Sequence, residues 1–398
     1  MARGKGEGSL YKQSDGLWAA YVTLPSIGDG KRRRKVVRSK SKPEVIRKLK
    51  ALKKELEIHG DLSTRDERMD KWATHWLENI AAPEVRPKTY AGYSSAVRNY
   101  IIPMLGRKKL PHIKSGDVRD MLKQMQEMPK SQKLREVPSE LWPEGTKLLG
   151  PDTAISVHGV LNLIMDAAMK DGLVARNVME VVDRPRKAKA PQRALQPDEA
   201  IRLLEYLVPR EDCALWTTYL FTGARRGEIL GLERGRITDK LDLSWQLLRI
   251  TDISKAPADY EYRHVRGNLY LTRPKSSAGW RVVPLVEPLR SVLALHLQTA
   301  GDGLVFVNQD GEAWDPDTAS RTWTKILAAA GLPDDVTLHG ARHTFVDLMF
   351  DAGADETVIQ DIVGHSTRAM TRQYRTRGND ERAAAALEKF AERFGLTQ

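Results

Sequence analysis

Cysteine is nearly absent from this sequence of 398 residues, which contains only Cys213. A single thiol excludes a disulfide framework and any metal site built from several thiolates. Cys213 precedes the apolar run Ala214-Leu215-Trp216, so we interpret it as a packing residue. The first residues contain no apolar segment typical of a signal peptide, and no later run is long enough to span a bilayer. We therefore expect a soluble, cytoplasmic protein without a membrane partner.

Acidic residues are too few to balance the basic ones. The chain has 64 Lys and Arg against 52 Asp and Glu, a formal net charge of +12 and a pI near 9.6. Residues 1–64 hold 16 of the basic residues and 7 of the acidic ones, a net charge of +9. This concentration of positive charge indicates a polyanionic partner. The length indicates two or three domains.

Residues 1–64 predict a small basic module made of a three-stranded sheet and one helix. Strand patterns cover 9–11, 17–24 and 35–39, and a capping-box motif at 41–44 marks the start of the helix. The apolar stripe of that helix comprises Val45, Leu49, Leu52 and Leu56. The basic side chains that we expect to bind DNA phosphates here are Arg32, Arg33, Arg34 and Lys35.

Residues 65–183 predict a helical domain with apolar stripes at helical spacing. The second helix is expected to begin after Pro87 and to end at Pro103, and residues 129–151 to form a long loop. The three stripes comprise Trp72, Trp76 and Ile80, then Tyr90, Tyr93, Val97, Tyr100 and Ile101, and finally Val157, Leu161, Ile164, Met165 and Ala168. Lys88 is a candidate DNA contact.

Residues 184–193 predict a basic linker between domains. They contain five basic residues and two prolines. Fully extended, the segment spans roughly 30 Å, enough to pass around a duplex. Arg184, Arg186 and Lys187 either touch DNA phosphates there or belong to a plain solvated linker.

Residues 194–398 contain the polar groups that point to chemistry. Gly223 permits a sharp turn, so Arg225 emerges at the start of a new helix, where Glu228 can hold its guanidinium. Strands are expected at 247–250, 268–271 and 281–285. Lys275 lies in the turn between the last two strands, where it is either solvated, as a lysine at a hairpin tip usually is, or reaches an oxygen leaving group.

Residues 339–374 gather three imidazoles, a guanidinium and a phenol near the end of the chain. His339 and Arg342 share one helical face. Two short helices are expected to stop at Gly353 and Gly364, and His365 follows the second stop. Tyr374 lies in a predicted third helix that begins near Ser366. Such a group suits attack on a phosphodiester.

The ordered polar set resembles that of the tyrosine recombinase (phage integrase) family, in its arm-binding form. The matching residues are Arg225, Lys275, His339, Arg342, His365 and Tyr374, with nine residues from His365 to the tyrosine. The family resemblance implies an arm-type DNA-binding domain at 1–64, a helical core-binding domain at 65–183, a basic linker at 184–193 and a catalytic domain at 194–398. The expected fold is multidomain α+β: a small three-stranded sheet with a helix, a helical domain, and a mostly α catalytic domain with a small antiparallel sheet.

The resemblance also implies the partners and the assembly. Double-stranded DNA with core-type and arm-type attachment sites is the expected substrate, and a homotetramer on DNA is expected to form a Holliday junction. A DNA-bending host factor and an excision factor are expected accessory proteins in a bacterial host cell, at the nucleoid. No metal, cofactor or ATP is expected.

The chemistry follows from the weak acidity of tyrosine. A free phenol has a pKa of about 10, so only about one in a thousand is ionised at pH 7. Arg225 and Arg342 would supply positive potential and stabilise the charge that builds up in the transition state. His365 would hydrogen-bond the phosphate. By resemblance, His339 accepts the tyrosine proton and Lys275 protonates the departing 5′-oxygen.

Three other interpretations remain at this point. His339 and His343 have the spacing of a zinc-binding pair, with His365 as a possible third ligand. Residues 345–364 read helix, glycine turn, helix, as in a DNA-binding regulator without catalysis. A type IB topoisomerase would use the same chemistry for strand relaxation.

The helix predicted at 381–394 is expected to pack on a neighbouring protomer, with packing in cis the alternative.

Overall fold

The computed structural model describes residues 10–24, 33–59, 67–186, 193–274, 280–364 and 379–394. The chain forms two compact units. The first comprises Met1–Ala188 with Ser254–Pro257, and the second comprises Lys189–Ile253 and Ala258–Gln398. Both combine helices with small antiparallel sheets, which confirms the predicted fold class.

The first unit begins with the predicted three-stranded sheet and helix. The elements are β1 (Leu10–Lys12), β2 (Trp18–Leu24), β3 (Arg33–Ser39) and α1 (Lys42–His59). Both strand pairs are antiparallel, with β2 in the middle. The inward residues Val22 and Leu24 of β2 pack against Leu49, Leu52 and Leu56 of α1. The stripe read from the sequence is therefore the face that α1 buries.

The rest of the first unit is helical. Its helices are α2 (Met69–His75), α3 (Pro87–Ala96), α4 (Ile102–Leu105), α5 (Ser115–Gln126) and α6 (Pro151–Lys170), with π-helical turns at Trp76–Ala81 and Val97–Ile101. All three predicted stripes face the core of this unit. The amphipathic helix α5, with Val118, Met121, Leu122 and Met125 buried, was not predicted.

The predicted end of the second helix at Pro103 is wrong. The helical path that begins at Pro87 continues through the π-helical turn Val97–Ile101 into α4 and ends near Leu105. Proline lacks an N–H and normally interrupts a helix. Pro103 occupies the first turn of α4, directly after the π-helical turn has changed the hydrogen-bond spacing. The missing donor therefore leaves the helix intact.

The second unit is mostly helical. Its helices are α7 (Pro197–Leu207), α8 (Cys213–Thr222), α9 (Arg226–Leu230), α10 (Leu289–Thr299), α11 (Pro316–Ala329), α12 (Leu338–Asp351), α13 (Glu356–Val363) and α14 (Asn379–Glu392). Helix α8 is buried on nearly every side and lies at the centre of the core. The predicted stops at Gly353 and Gly364 are confirmed, because both glycines adopt positive φ angles, +77° and +70°.

Two small sheets complete the second unit. Their strands are β4 (Lys240–Asp242), β5 (Gln246–Arg249), β6 (Tyr262–Arg266), β7 (Leu269–Thr272) and β8 (Val282–Pro284), in the orders β5-β7-β6 and β4-β8. The expected strand at 281–285 therefore does not pair with the strand before it. Both edges of β7 are already occupied, by β5 and β6, so β8 pairs with β4 instead.

Helix α14 packs against its own chain. The ring of Phe390 lies 5.2 Å from that of Phe221 and 5.3 Å from that of Phe345, measured between centroids. This is the cis alternative of the sequence analysis, and the aromatic side chains of α8 and α12 provide its apolar surface. Packing on a neighbouring protomer stays a prediction. Among the described helices, none has the length and apolar character needed to cross a bilayer.

Candidate active site

The turn between α8 and α9 places the first arginine of the site. Gly223 ends α8 in the left-handed conformation, with φ of +54°. A Cβ at this position would lie only 2.5 Å from the ring of Phe345. Arg225 follows in an extended conformation as the residue that caps α9. The sharp turn predicted from the sequence is therefore present. Glycine is required at position 223 both by the backbone angle and by the close packing of this turn against α12.

Glu228 is the buried anion of the site. Its carboxylate accepts hydrogen bonds from the backbone N–H of Arg225 at 2.7 Å and from Nη1 of Arg225 at 2.8 Å. It also accepts from Nη1 and Nη2 of Arg281 at 2.9 and 2.7 Å. Burial opposes ionisation of this side chain, which is 1% exposed, but the two guanidinium groups outweigh it and hold the pKa of Glu228 below its ordinary value.

Sequence reasoning missed Arg281. It was assigned only to a strand, yet its side chain is 7% exposed and binds Glu228 through both terminal nitrogens. A signal was present in the period-two pattern of the strand. Arg281, Val283 and Leu285 are buried, whereas Trp280 and Val282 are about half exposed. An arginine at an inward position needs a buried partner, and that partner is Glu228.

Three arginines converge on the carboxyl-terminal end of α13. Arg281 Nε donates to the carbonyl of Ile362 at 2.6 Å, Arg342 Nη2 to that of Val363 at 2.6 Å, and Arg225 Nη2 to that of Gly364 at 2.7 Å. The last carbonyls of a helix lack partners within the helix and carry partial negative charge. The guanidinium groups satisfy these carbonyls and hold the end of α13 in the site.

Arg342 is buried more deeply than Arg225. It is 4% exposed, and its Nη1 donates to the carbonyl of Gly223 at 2.9 Å. Burial lowers the pKa of Arg342 to about 9, and the positive charges of Arg225 and Arg281 act in the same direction. The guanidinium still remains charged at neutral pH. It links the start of α12 to both the turn at Gly223 and the end of α13.

His339 is the titratable group beside the arginines. It lies in the first turn of α12, after Thr337, whose side chain caps the helix by accepting from the N–H of Gly340 at 3.1 Å. Partial desolvation lowers the pKa of His339, and the nearby charges of His343, Arg342 and Arg225 lower it further. The imidazole is therefore neutral near pH 7 and able to accept a proton.

His343 lies against His339, with the ring centroids 5.0 Å apart and the planes perpendicular. Its Nε2 is buried and has no hydrogen-bond partner among the described residues. In the same part of the chain, no group of three His, Cys, Asp or Glu side chains is arranged to hold a metal ion. His365, the third ligand of the zinc interpretation, lies outside the described residues.

The structure thus brings together four of the predicted site residues, namely Arg225, Glu228, His339 and Arg342. Three others, Lys275, His365 and Tyr374, lie outside the described residues. Of the predicted DNA contacts, Arg32 and Lys187 also lie outside them. The remaining ones are at least partly exposed: Arg33, Arg34 and Lys35 on β3, Lys88 in the first turn of α3, and Arg184 and Arg186 near the end of the first unit.

Comparison with known proteins gives the class of this site. The model of the phage integrase family matches residues 193–381, and that of the phage integrase N-terminal SAM-like domain matches residues 69–126. The chain belongs to the phage integrase family of tyrosine recombinases, enzymes that cleave and rejoin DNA.

Relatives match along most of the chain. An integrase of Saccharopolyspora erythraea is 26% identical over 423 residues, covering 93% of this chain and 92% of the relative. A XerC-like tyrosine recombinase of Caldanaerobacter subterraneus is 23% identical over 401 residues, covering 94% and 95%.

Solved structures show the same fold. The integrase of the transposon Tn1549, in complex with transposon right end DNA, has a TM-score of 0.61 at 19% identity, covering 82% of this chain and all of that one. A lambda integrase dimer bound to a COC′ core site has a TM-score of 0.56 at 17% identity, covering 94% and 96%.

Proposed function

We propose that this protein is a site-specific DNA recombinase in which Tyr374 is the nucleophile. The phenolic oxygen attacks a phosphodiester, a bond forms between that oxygen and phosphorus, and the bond to the 5′-oxygen breaks. The product is a 3′-phosphotyrosine, which keeps the energy of the broken bond so that rejoining needs neither ATP nor metal. The observation that supports this most is that Arg225 and Arg342 converge on the carbonyls at the end of α13, ten residues before Tyr374. Neutral His339 lies close enough to both arginines for their charges to lower its pKa.

The two arginines would bind the phosphate. A guanidinium has five N–H donors. Among the described residues, Arg225 uses two side-chain donors, one to Glu228 and one to Gly364. Arg342 also uses two, one to Gly223 and one to Val363. The other donors are available to the non-bridging oxygens as negative charge builds up in the transition state.

Proton transfer is assigned to the remaining side chains. Neutral His339 takes the proton from the phenol of Tyr374, and Lys275 gives a proton to the departing 5′-oxygen, since a bare alkoxide is a poor leaving group. His365 donates a hydrogen bond to the phosphate. On rejoining, the free 5′-hydroxyl attacks the phosphotyrosine and the protons return by the same route.

The domain assignment belongs to the same proposal. Residues 1–64 would bind arm-type sites, 65–183 would bind core-type sites, 184–193 would form a basic linker, and 194–398 would carry out cleavage and rejoining. The high positive charge of residues 1–64 supports this assignment. A lambda integrase tetramer bound to a Holliday junction, 16% identical to this chain, has a TM-score of 0.56 to it. We propose a tetramer here as well, and action on DNA at the bacterial nucleoid. A DNA-bending host factor and an excision factor complete the proposal.

A nicked suicide substrate tests the chemistry. Duplexes with a randomised central segment and a single nick are incubated with the protein in EDTA, and covalent adducts are isolated under denaturing conditions and sequenced. We expect adducts with the native protein, none with Tyr374→Phe, and a nucleotide on Tyr374 by mass spectrometry. A nucleotide on another side chain, or binding without any adduct, overturns the proposal.

Binding without an adduct would instead indicate the regulator. Helices α12 and α13 do form a helix–turn–helix, but the second helix buries Ile359, Ile362 and Val363. Its polar face contains Glu356 and Asp361, whose negative charges repel DNA phosphates. This face is poorly suited to a recognition helix. Relaxation of supercoiled DNA in the same assay would indicate topoisomerase-like activity of the same site.

A further inference from the structure

Arg281 binds the buried carboxylate that also holds Arg225. We propose that Arg281 is a positioning residue for strand cleavage, which fixes Arg225 relative to the end of α13 and keeps the phosphate site positively charged. This inference rests on the proposed function. Arg281 was not among the site residues predicted from the sequence.

The contacts of Arg281 join two elements of the site. Its Nη1 and Nη2 donate to the two carboxylate oxygens of Glu228, on α9, while its Nε donates to the carbonyl of Ile362, on α13. A guanidinium is planar and its donors have a fixed spacing, so one side chain sets the separation of both acceptors. Arg225 bridges the same two elements through Glu228 and Gly364. The two arginines therefore form a double brace across the site.

Hydrogen bonding, together with exposure, separates the role of Arg281 from those of the proposed phosphate ligands. Arg342 is as deeply buried as Arg281 but makes only two side-chain hydrogen bonds among the described residues, through Nη1 and Nη2. The side chain of Arg225 is 41% exposed, whereas that of Arg281 is 7% exposed and has all three kinds of side-chain nitrogen bonded to the protein. Arg225 can therefore reach a phosphate from its place on Glu228. Arg281 acts through Glu228 and Ile362, behind the surface that meets DNA.

Charge gives Arg281 a second effect. Glu228 alone would neutralise Arg225, and a neutral pair stabilises a dianionic transition state poorly. With Arg281 bound to the same carboxylate, the three side chains keep one net positive charge, to which Arg342 adds another. Without Arg281, the buried carboxylate of Glu228 would lose two hydrogen bonds. Its uncompensated charge would then draw Arg225 toward it.

The test measures single-turnover adduct formation on a nicked duplex chosen from the randomised pool. We expect Arg281→Met to lower the rate constant about 10- to 100-fold, since small displacements of a catalytic group cost about this much. The Kd for the same duplex should change less than about threefold, because Arg281 does not face DNA. Arg281→Lys keeps the charge but loses the planar fork, so its rate constant should lie between those of the native protein and Arg281→Met. If Arg281→Met does not fold, Arg281→Lys replaces it in the test.

The double variant Arg281→Met, Glu228→Gln isolates the effect of charge. It removes the unbalanced carboxylate, so we expect it to cleave faster than Arg281→Met alone. If Arg281 only filled space, adding Glu228→Gln to Arg281→Met would leave the cleavage rate constant unchanged or lower it. A double variant no faster than Arg281→Met, or a single variant that cleaves at the native rate, overturns the proposal.

A control of the same chemistry, but more exposed, is present in the same unit. Glu233 accepts from Arg236 Nε at 2.9 Å and from both terminal nitrogens of Arg263 at 2.9 and 2.6 Å, so it forms a second Arg–Glu–Arg group without any proposed site residue. Arg263→Met should leave the cleavage rate constant within about twofold of the native value. Adduct amplitude reports the folded, active fraction in each variant, while the rate constant reports positioning.

Hydrogen exchange separates this inference from the proposed function. Peptides that cover Glu356–Val363 should exchange faster in Arg281→Met than in the native protein or in Arg263→Met, because the end of α13 loses a donor. Unchanged exchange overturns the brace whatever the enzyme does. If the native protein forms no adduct with any duplex, the proposed function fails, and the exchange result still decides the structural part.

Discussion

Arg225 Nη2 lies 2.7 Å from the carbonyl oxygen of Gly364, 139 residues further along the chain. This hydrogen bond joins the turn after α8 to the last residue described before His365 and Tyr374. The catalytic arginine proposed here therefore holds the end of α13, ten residues before the proposed nucleophile in the sequence.

Replacing Arg225 with lysine should reduce cleavage with little loss of DNA binding. A lysine ammonium cannot reproduce the planar fork that reaches both Glu228 and Gly364. By comparison with the loss of one oxyanion-hole donor, we expect the rate to fall about 100- to 1000-fold. Single-turnover adduct formation measures the rate, and fluorescence anisotropy with the same duplex measures binding. An equal loss of affinity and rate would contradict a role in the transition state.

The pH dependence of cleavage should reflect neutral His339. Its pKa is lowered from the ordinary value of 6.5 by desolvation and by His343, Arg342 and Arg225, so the base form is present across the neutral range. The rate should rise with pH through this lowered pKa, so the midpoint of the acidic limb should lie below the ordinary value of 6.5. His339→Gln should remove the acidic limb of the profile. His343→Gln should keep it, and an acidic limb centred above pH 6.5 in the native enzyme would contradict the assignment.

Acid should destabilise the second unit through Glu228. The pKa of this carboxyl is lowered in the folded protein, so its ionised form contributes stability above the unfolded value, near 4.5, and the contribution is lost as pH falls through the folded pKa. Glu228→Gln should cost about 3–5 kcal/mol at pH 7, the range for breaking a buried ion pair. The difference from the native protein should shrink below about pH 4. Urea unfolding at several pH values measures both, and a pH-independent difference would contradict the ion-pair account.

Alanine at Gly223 should destabilise the second unit. The backbone there has a φ of +54°, and an added Cβ would lie 2.5 Å from the ring of Phe345. We expect a loss of at least about 1–2 kcal/mol from the backbone alone, with the clash in addition. Gly235→Ala is the matched control, since Gly235 has a negative φ and no atom within 4 Å of the added Cβ. Thermal unfolding should show a lower Tm for Gly223→Ala alone.

The basic strand β3 should control the salt dependence of DNA binding. Replacing Arg33, Arg34 and Lys35 with alanine should reduce the slope of log Kd against log salt by about 0.9 for each phosphate that the variant no longer neutralises. Cleavage of a nicked core duplex by Tyr374 should continue at the native rate. The reason is that the three replaced side chains belong to the first unit, whereas Tyr374 belongs to the second. An unchanged slope would contradict the assignment of residues 1–64 to DNA binding.

Local patterns in the sequence predicted much of the fold. Helix α1 and its stripe, the strand β2, and the glycine stops at Gly353 and Gly364 all follow from periodicity or from a single backbone angle. The predictions failed where distant segments decide the outcome. The sequence gives no local sign that β8 pairs with β4, or that a π-helical turn lets the helix pass Pro103.

The same division holds in the site. The order and spacing of Arg225, His339, Arg342 and the later tyrosine are properties of the sequence alone, and they were enough to show the resemblance to the tyrosine recombinase family. Only the tertiary structure decided which carboxylate and which carbonyls hold the arginines. Arg281 meets Glu228 across 53 residues and Ile362 across 81, and contacts at such separations depend on the packing of strands and helices. Buried charge has to find a partner, and the folded chain alone determines where that partner lies.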